Sequence, residues 1–499
     1  MSAQLKPVPL SYPARTIAVA EGDGIGPEIT RAVMRVLAAA DPALTFKPLT
    51  VGLAAYQAGH AAGFDRHVTE TVAEHGVLLK GPITTPQGGG YKSVNVSLRK
   101  TFGLYANLRP CVAYHPFVAT HHPGMDVVIV RENEEDTYAG IEHQQTDEVV
   151  QCLKLISRPG CERIVRYAFE YARRHGRRKV TCMTKDNIMK LTDGLFHRVF
   201  DEIAKEYPDI ANDHMIIDIG TAKMAVDPRR FDVVVTPNLY GDILSDVAAE
   251  VAGSIGLAPS ANIGRGCAMF EAVHGSAPDI AGHDLANPSG LLLSAVMMLV
   301  HMGRPGPATA IHNAWLRTLE EGDHTVDIFG THSRRKLGTQ AFADAVIGRL
   351  GQLPQHVPAI DYPEQASAEV QMAEVQMAEA SAPPPRVKTL EGVDVFLHWD
   401  HAERDANVLG NQLQAFAGPD LRLALITNRG VKVYPQGLKQ TTRTDHWRCR
   451  FVSTGEQAPT PTQICSLLLR LAESEWDVVK TENLYAFDGV RGYSQAQGE

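Results

Sequence analysis

Between residues 91 and 110 the chain reads Tyr-Lys-Ser-Val-Asn-Val-Ser-Leu-Arg-Lys-Thr-Phe-Gly-Leu-Tyr-Ala-Asn-Leu-Arg-Pro, with the small polar residues Ser93 and Asn95 preceding Arg99 and Arg109. A turn leading into a helix would set Ser93, Asn95 and Arg99 on one patch, and Arg109 would arrive from the strand that follows. A hydroxyl, an amide and guanidinium groups in that grouping suit a ligand with several carboxylates. Arg131 extends the set, because it follows the apolar run Met125 to Val130 at the end of an expected buried strand, where α/β proteins place ligands. Single arginines mostly face water. It is the joint pattern that makes this a candidate substrate site.

A second group is acidic. In Pro237-Asn238-Leu239-Tyr240-Gly241-Asp242-Ile243-Leu244-Ser245-Asp246 a buried strand gives way to a helix, so Asp242 and Asp246 fall on one helical face. Two carboxylates held together repel each other unless a cation joins them, and hard oxygen donors without His or Cys suit Mg²⁺ or Mn²⁺. A helix cap plus a solvated acid is the alternative. Asp218 closes the apolar run Met215 to Asp218, expected as a strand, and completes the site if the fold or a second subunit brings it near. Lys185, in Thr184-Lys185-Asp186-Asn187, follows an expected strand, and a lysine beside a divalent cation is pushed down toward a useful base.

Two loops remain. Glu21-Gly22-Asp23-Gly24-Ile25-Gly26-Pro27 lacks the GxGxxG spacing and reads as a tight strand-to-helix turn. There is no Walker A motif. His274-Gly275-Ser276-Ala277-Pro278-Asp279-Ile280-Ala281-Gly282, with Asn287-Pro288 beyond it, could wrap a planar ligand or be structural.

The elements that must position these residues are legible in outline. From about 15 to 352, β-rich apolar runs alternate with amphipathic segments, which predicts an α/β domain with parallel strands. Residues 27–40 begin with Pro27 and repeat Ile29, Val33, Val36 and Ala40, the pattern of a helix. Residues 353–386 are rich in Pro, Ala and Glu, repeat Ala-Glu-Val-Gln-Met, and predict a linker. Beyond it the order strand, helix, strand, hairpin strand, strand, helix, strand predicts a ferredoxin-like α+β domain over 387–499. It carries no catalytic cluster and is expected to serve assembly or effector binding.

With 499 residues, 44% of them hydrophobic, the chain can bury large cores in two or three units. A net charge of −9 argues against a general nucleic-acid binder. No apolar stretch approaches the roughly 20 residues of a membrane span, and the N-terminal segment lacks a signal peptide's apolar core. The expected location is the cytoplasm. The seven cysteines show no zinc spacing and read as reduced thiols.

Taken together, residues 15–352 closely resemble the β-decarboxylating dehydrogenases, the isocitrate, homoisocitrate and 3-isopropylmalate dehydrogenases; a comparable C-terminal extension occurs in some bacterial members. The resemblance implies an isocitrate/isopropylmalate dehydrogenase-like fold with its own nucleotide loops rather than a Rossmann domain. It implies a large domain of residues 1–104 and 253–352, and a small domain of 105–252 with the dimer interface and a clasp near 136–157. Ser93 and Asn95 would meet the substrate's γ-carboxylate, and Arg99, Arg109 and Arg131 its other carboxylates. Because a polar site rejects ligands that leave its groups unpaired, isocitrate is favoured over 3-isopropylmalate or homoisocitrate.

By the same resemblance Asp242 and Asp246 bind the metal, joined by Asp218 across a dimer interface that Lys185 and Asn187 also cross, so the active form is at least a homodimer. Lys185 would take the proton of the C2 hydroxyl as hydride leaves for the nicotinamide. Tyr138, with Lys185, would control protonation to 2-oxoglutarate after loss of CO₂. For the dinucleotide the resemblance points to Thr84 and Thr85 at the nicotinamide end, Glu271, His274 and Gly275 near the ribose, and Asn287 at the adenine. Asp279 and Ile280 stand where NADP-dependent members carry Lys and Tyr, so NAD is the expected cofactor, with NADP the alternative because Arg334-Arg335-Lys336 is basic. Catalytically silent regulatory subunits lose some of these groups, whereas this chain keeps every one.

Overall fold

The computed structural model describes residues 12–86, 88, 90–363, 385–437 and 440–497, which fall into two compact units. One is built from the chain before Gly140 and from Lys154 up to residue 363. The other joins Gly140–Leu153 to the chain from residue 385 onward. No helix among the described residues is long and apolar enough to cross a membrane.

The first unit is organised by a ten-stranded sheet. In spatial order its strands are Leu44–Leu49, Arg15–Ala20, Val77–Lys80, Ala268–Ala272, Pro259–Ile263, Ala106–Val112, Asp126–Glu132, Val233–Thr236, Lys179–Thr184 and Ala211–Ile216. The four strands at either end are parallel, as the alternation of apolar runs and helices predicts. The middle is not: Pro259–Ile263 runs antiparallel to both neighbours, and Ala106–Val112 antiparallel to Asp126–Glu132. The all-parallel expectation is therefore corrected to a mixed sheet. The sequence concealed this because Pro259-Ser-Ala-Asn-Ile263 is no apolar run. Its polar side chains are buried by pairing, with Asn262 accepting from Asn107 and Asn133 and donating to Glu271.

Helices cover both faces. Gly26–Ala40 starts with proline in its first turn and buries Ile29, Val33, Val36 and Leu37, the stripe its spacing requires. Asn238–Ala252 carries Asp242 and Asp246 one turn apart. The expected strand at Met215 to Asp218 is corrected: the strand ends at Ile216, and Asp218 lies in the first turn of the helix Ile217–Val226. Trp315, on Pro305–Glu320, is fully buried; its indole donates to Ser289 Oγ at 2.8 Å and stands edge-on to Tyr114.

Most of the expected linker lies outside the described residues. Its first part does not hang free: the backbone N–H groups of Gln355, His356 and Val357 donate to the Glu320 carboxylate, and Ile360 to Asn313.

In the second unit the four long strands stand in the order Leu421–Asn428, His446–Ser453, Lys388–His398, Asp477–Phe487, all antiparallel, with helices Ala406–Gln414 and Pro461–Ala472 between them in sequence. This is the ferredoxin-like arrangement. The hairpin Glu142–Gln144 and Val150–Cys152, part of the segment expected as a clasp in the small domain, belongs to this unit. Thr146 donates to Asp445 at 2.6 Å, and Glu148 pairs with Arg404 at 2.7 Å.

Replacing Trp315 by alanine removes a fully buried indole and its hydrogen bond, so the first unit should lose about 3–5 kcal/mol. Chemical denaturation followed by far-UV circular dichroism measures this as a lowered midpoint with the native spectrum retained.

Candidate active site

Ser93 begins the helix Val94–Thr101, so Ser93, Asn95 and Arg99 follow one another along its first two turns, and Arg109 enters from Ala106–Val112. Arg131 comes from the end of the neighbouring strand. All three arginines are buried, at 7%, 4% and 1% exposure respectively.

Each is held by a different set of partners. Arg131 donates to Asp242 at 2.5 Å and, through Nε and Nη2, to Asn238 at 3.0 and 2.7 Å. Arg109 donates to Asn107 at 2.5 Å and Ser245 at 2.6 Å, and stands 3.4 Å from Asp242 and 3.6 Å from Asp246. Arg99 donates to Glu271 at 3.0 Å. The Asn95 amide keeps a buried oxygen with no hydrogen-bond partner, and Thr85 donates to Ser93 at 3.3 Å.

Asp242 sits at the junction. Burial works to raise its pKa, but Arg131 and Arg109, helped by the Tyr138 hydroxyl, hold it below the usual carboxylate range. Tyr138, on a single 3₁₀ turn, donates to Asp242 Oδ2 at 2.5 Å and lies under the Arg131 guanidinium, 4.9 Å from its ring centre. Burial keeps the Tyr138 phenol above its ordinary pKa, hence protonated at neutral pH.

The remaining groups expected here are placed apart. Lys185 Nζ pairs with Asp218 at 2.9 Å on the outer side of the unit, and Asn187 is exposed beside them. Within one chain Asp218 therefore does not join Asp242 and Asp246. The two acids on Asn238–Ala252 fit a hard divalent cation in donor type and spacing, and among the described residues no third Asp, Glu, His or Cys closes on them. Among the described residues, the trio of metal-type side chains with mutually close donor atoms is Asp186, His197 and His214. Its imidazoles are stacked 3.6 Å apart and 15° from parallel, so no point within metal-bonding distance lies in both ring planes, and each ring already has a partner in Asp186 or Thr184.

The expected nucleotide residues line two loops tied together. Asp23, in the glycine-rich turn, accepts from the backbone N–H of Thr84, and Thr84 Oγ1 lies 2.7 Å from Ser276 Oγ. Gly24 has φ +59°, and a Cβ there would come within 2.0 Å of the Ser276 carbonyl oxygen, so only glycine lets the turn approach the His274 loop. The His274 Nε2 atom is buried with no hydrogen-bond partner, and Gly275 beside it leaves open space. An orphaned imidazole nitrogen next to a bare backbone fits a polar, flat ligand.

Two of the expected nucleotide residues have structural partners. Glu271, expected near the ribose and adenine side, is the counter-ion of Arg99: it also pairs with the fully buried Lys80 at 2.7 Å and accepts from Asn262 at 2.9 Å. Lys80 gave no sequence signal, since it ends an apolar strand with no motif around it. Asn287, expected at the adenine, is committed to Asp327 at 3.0 Å and to the backbone of Ser289 at 2.9 Å.

Comparison with known proteins extends this geometry. Residues 16–346 match the isocitrate/isopropylmalate dehydrogenase family, and 388–499 match the bacterial isocitrate dehydrogenase C-terminal domain. A Rickettsia felis protein named isocitrate dehydrogenase [NADP] is 50% identical over 97% of this chain and 99% of its own length. A Thermus thermophilus protein of the same name is 44% identical over 97% and 96%. A crystal structure of a Thermus thermophilus protein, 43% identical, superimposes with a TM-score of 0.89 over 97% of this chain and 96% of its own. That of Methylococcus capsulatus isocitrate dehydrogenase, 44% identical, gives 0.65 over 68% and 100%.

These relatives overturn the expectation of NAD, because those matching the full length of the chain carry NADP in their names. Asp279 is exposed on the 3₁₀ turn Pro278–Ile280, with no side-chain hydrogen bond among the described residues. Ile280 packs against the core.

Glu271→Gln would leave Lys80 and Arg99 buried without their counter-charge, at a cost of about 3–5 kcal/mol. Lys80 and Arg99 hold Glu271 far below its ordinary pKa of 4.5 despite burial, which pushes the other way. That stabilisation is therefore complete above the ordinary carboxylate range and lost as pH falls below it. Thermal melting of the wild type and Glu271→Gln from pH 7 downward should show the gap between them narrowing only in acid.

Proposed function

Because the chain belongs to the isocitrate/isopropylmalate dehydrogenase family, we propose that it oxidatively decarboxylates isocitrate to 2-oxoglutarate and CO₂, reducing NADP with Mg²⁺ or Mn²⁺, as a homodimer with shared active sites. The observation that carries this reading is the burial of Arg99, Arg109 and Arg131 close enough to interact with one another, with Ser93 and Asn95 at the start of the helix that bears Arg99. Three fixed guanidinium groups suit the carboxylates other than the one that Ser93 and Asn95 would meet. The unpaired Asn95 amide suits a polar substituent and would be left unsatisfied by an isopropyl group.

The homodimer is supported by what one chain leaves open. The helix Ile217–Val226 buries only Gly220 and Met224, while Ile219 and Val226 on it and Ile243 on the adjacent helix are exposed. Such a patch calls for a cover. A second copy placing its own helix there would bring Asp218 of the partner subunit, with the Lys185 beside it, to the pocket that lacks them. Asp242 and Asp246 would hold the cation, which supplies Lewis acidity at the substrate's hydroxyl and carbonyl oxygens. Within the pocket the arginines fix the carboxylates. Lys185 accepts the hydroxyl proton at Nζ, and Tyr138, kept protonated, can deliver one to the product carbon.

For the dinucleotide, the names of the relatives are joined by a basic segment. The backbone of Thr339 and Gln340 donates to Asp284, which holds the turn after Asp279 against the chain just beyond Arg334-Arg335-Lys336. Arg335 is engaged by Asp323, whereas the exposed Arg334 guanidinium has no partner among the described residues and is free for a 2′-phosphate.

Steady-state kinetics test the reading. kcat/KM for NADP should exceed that for NAD, chelation of divalent metal should abolish turnover, and added Mn²⁺ should restore it. A higher kcat/KM with NAD, or turnover that survives the chelator, would defeat the corresponding part.

A further inference from the structure

Lys154 lies between two carboxylates that are themselves wholly buried. Its Nζ is 2.8 Å from Asp193 and 3.3 Å from Asp136, and it stands 4.5 Å over the Tyr240 ring. Burial by itself would push the ammonium pKa down, but Asp193 and Asp136 outweigh it, so Lys154 is charged at neutral pH.

The two acids lead to different places. Asp193 accepts the backbone N–H of Lys185 through its other oxygen, at 2.7 Å. That bond fixes the start of the turn in which Ile188 and Met189 donate back to the Lys185 carbonyl, the turn that presents Lys185 and Asn187. Asp136 accepts the backbone N–H of Leu239 at 2.9 Å, in the first turn of the helix bearing Asp242 and Asp246. It also accepts from Thr137 at 2.8 Å, at the entry to the 3₁₀ turn of Tyr138. Asp136 is held at φ +65°, a conformation that side chains rarely adopt and that its surroundings must impose. A continuous path thus runs from the Lys185 backbone through Asp193, Lys154 and Asp136 to the elements carrying Tyr138 and Asp242.

In the homodimer with shared sites these two ends serve different active sites: Tyr138 and Asp242 the chain's own, Lys185 and Asn187 the partner's. We propose that Lys154 is a positioning residue for both active sites at once, setting the metal-binding helix and Tyr138 in one and the proton-accepting lysine in the other. The proposal rests on the shared-site reading. It adds that one cation, set between two buried carboxylates, ties the two placements together, so that its loss disorders both.

Mixed dimers of the full chain separate the two arms. One chain carries Asp242→Asn and the other Lys185→Met, so the single intact site draws Tyr138 and Asp242 from the second chain and Lys185 from the first. Lys154→Met is then introduced into either chain. With dimer mass retained, kcat should fall about tenfold or more in both placements while KM for isocitrate stays within about threefold, because misplaced catalytic groups slow the chemistry more than they weaken binding. Lys154→Arg, which can still pair with both carboxylates, should recover most of the rate.

A fall in one placement only, or in neither, overturns the proposal, as does an equal loss with arginine. An inactive mixed dimer before any change at Lys154 would instead overturn the shared-site reading, and this proposal with it. Should Lys154→Met fail to assemble, Lys154→Met with Asp193→Asn removes one unpaired charge and keeps an acceptor for the Lys185 N–H. It is then read in the same two placements with the same outcomes.

Discussion

Three neighbouring arginines cannot be buried unless acids pair with them, and most of the first unit follows from how that is arranged. Taking a charge out of water costs several kcal/mol per ion unless it is paired and hydrogen-bonded. Asp242 answers Arg131 and Arg109, while Glu271 answers Arg99 and Lys80. With Asp246 3.6 Å from Arg109, four cations stand against three carboxylates, so the cluster keeps a positive balance. That imbalance is a standing attraction for a polyanionic substrate, and preset guanidinium groups need not reorganise to receive one.

The sheet exists in its mixed form to make those pairings. Glu271 reaches Arg99 and Lys80 because Ala268–Ala272 lies beside Val77–Lys80, and Asn262 completes its hydrogen bonds from the antiparallel neighbour. Asn107 steadies Arg109 from two residues away and is itself held by Asn262. One polar layer thus runs through the middle of the sheet, its members hydrogen-bonded in series, with Arg99 Nε and Asn133 Oδ1 buried without a hydrogen-bond partner.

The legible part of the site was the part written locally. Ser93, Asn95 and Arg99 are within two turns of one helix, Asp242 and Asp246 within one turn of another, and Arg131 ends an apolar run, so spacing alone placed them. Counter-ions carry no such signature: Lys80 finishes an apolar strand, Lys154 sits in an irregular stretch, and each meets its acid only after the chain has folded. The strand Pro259–Ile263 hid for the same reason, because its Ser and Asn are buried by partners distant in sequence. The ferredoxin-like unit was legible in its element order, since its strands alternate and its helices carry caps such as Thr460 with Gln463, whereas the strands Lys388–His398 and Asp477–Phe487 run several residues beyond their apolar runs. Asp279 alone does not encode the nucleotide preference, which a whole surface must select.

The central claim is that the arginine pocket with Ser93 and Asn95 selects isocitrate, and its most direct test is the ratio of kcat/KM for isocitrate to that for 3-isopropylmalate on the same purified enzyme. A pocket whose polar groups would be stranded against an isopropyl group should favour isocitrate by about 10⁴ or more. Comparable values for the two acids, or a preference for 3-isopropylmalate, would contradict the account.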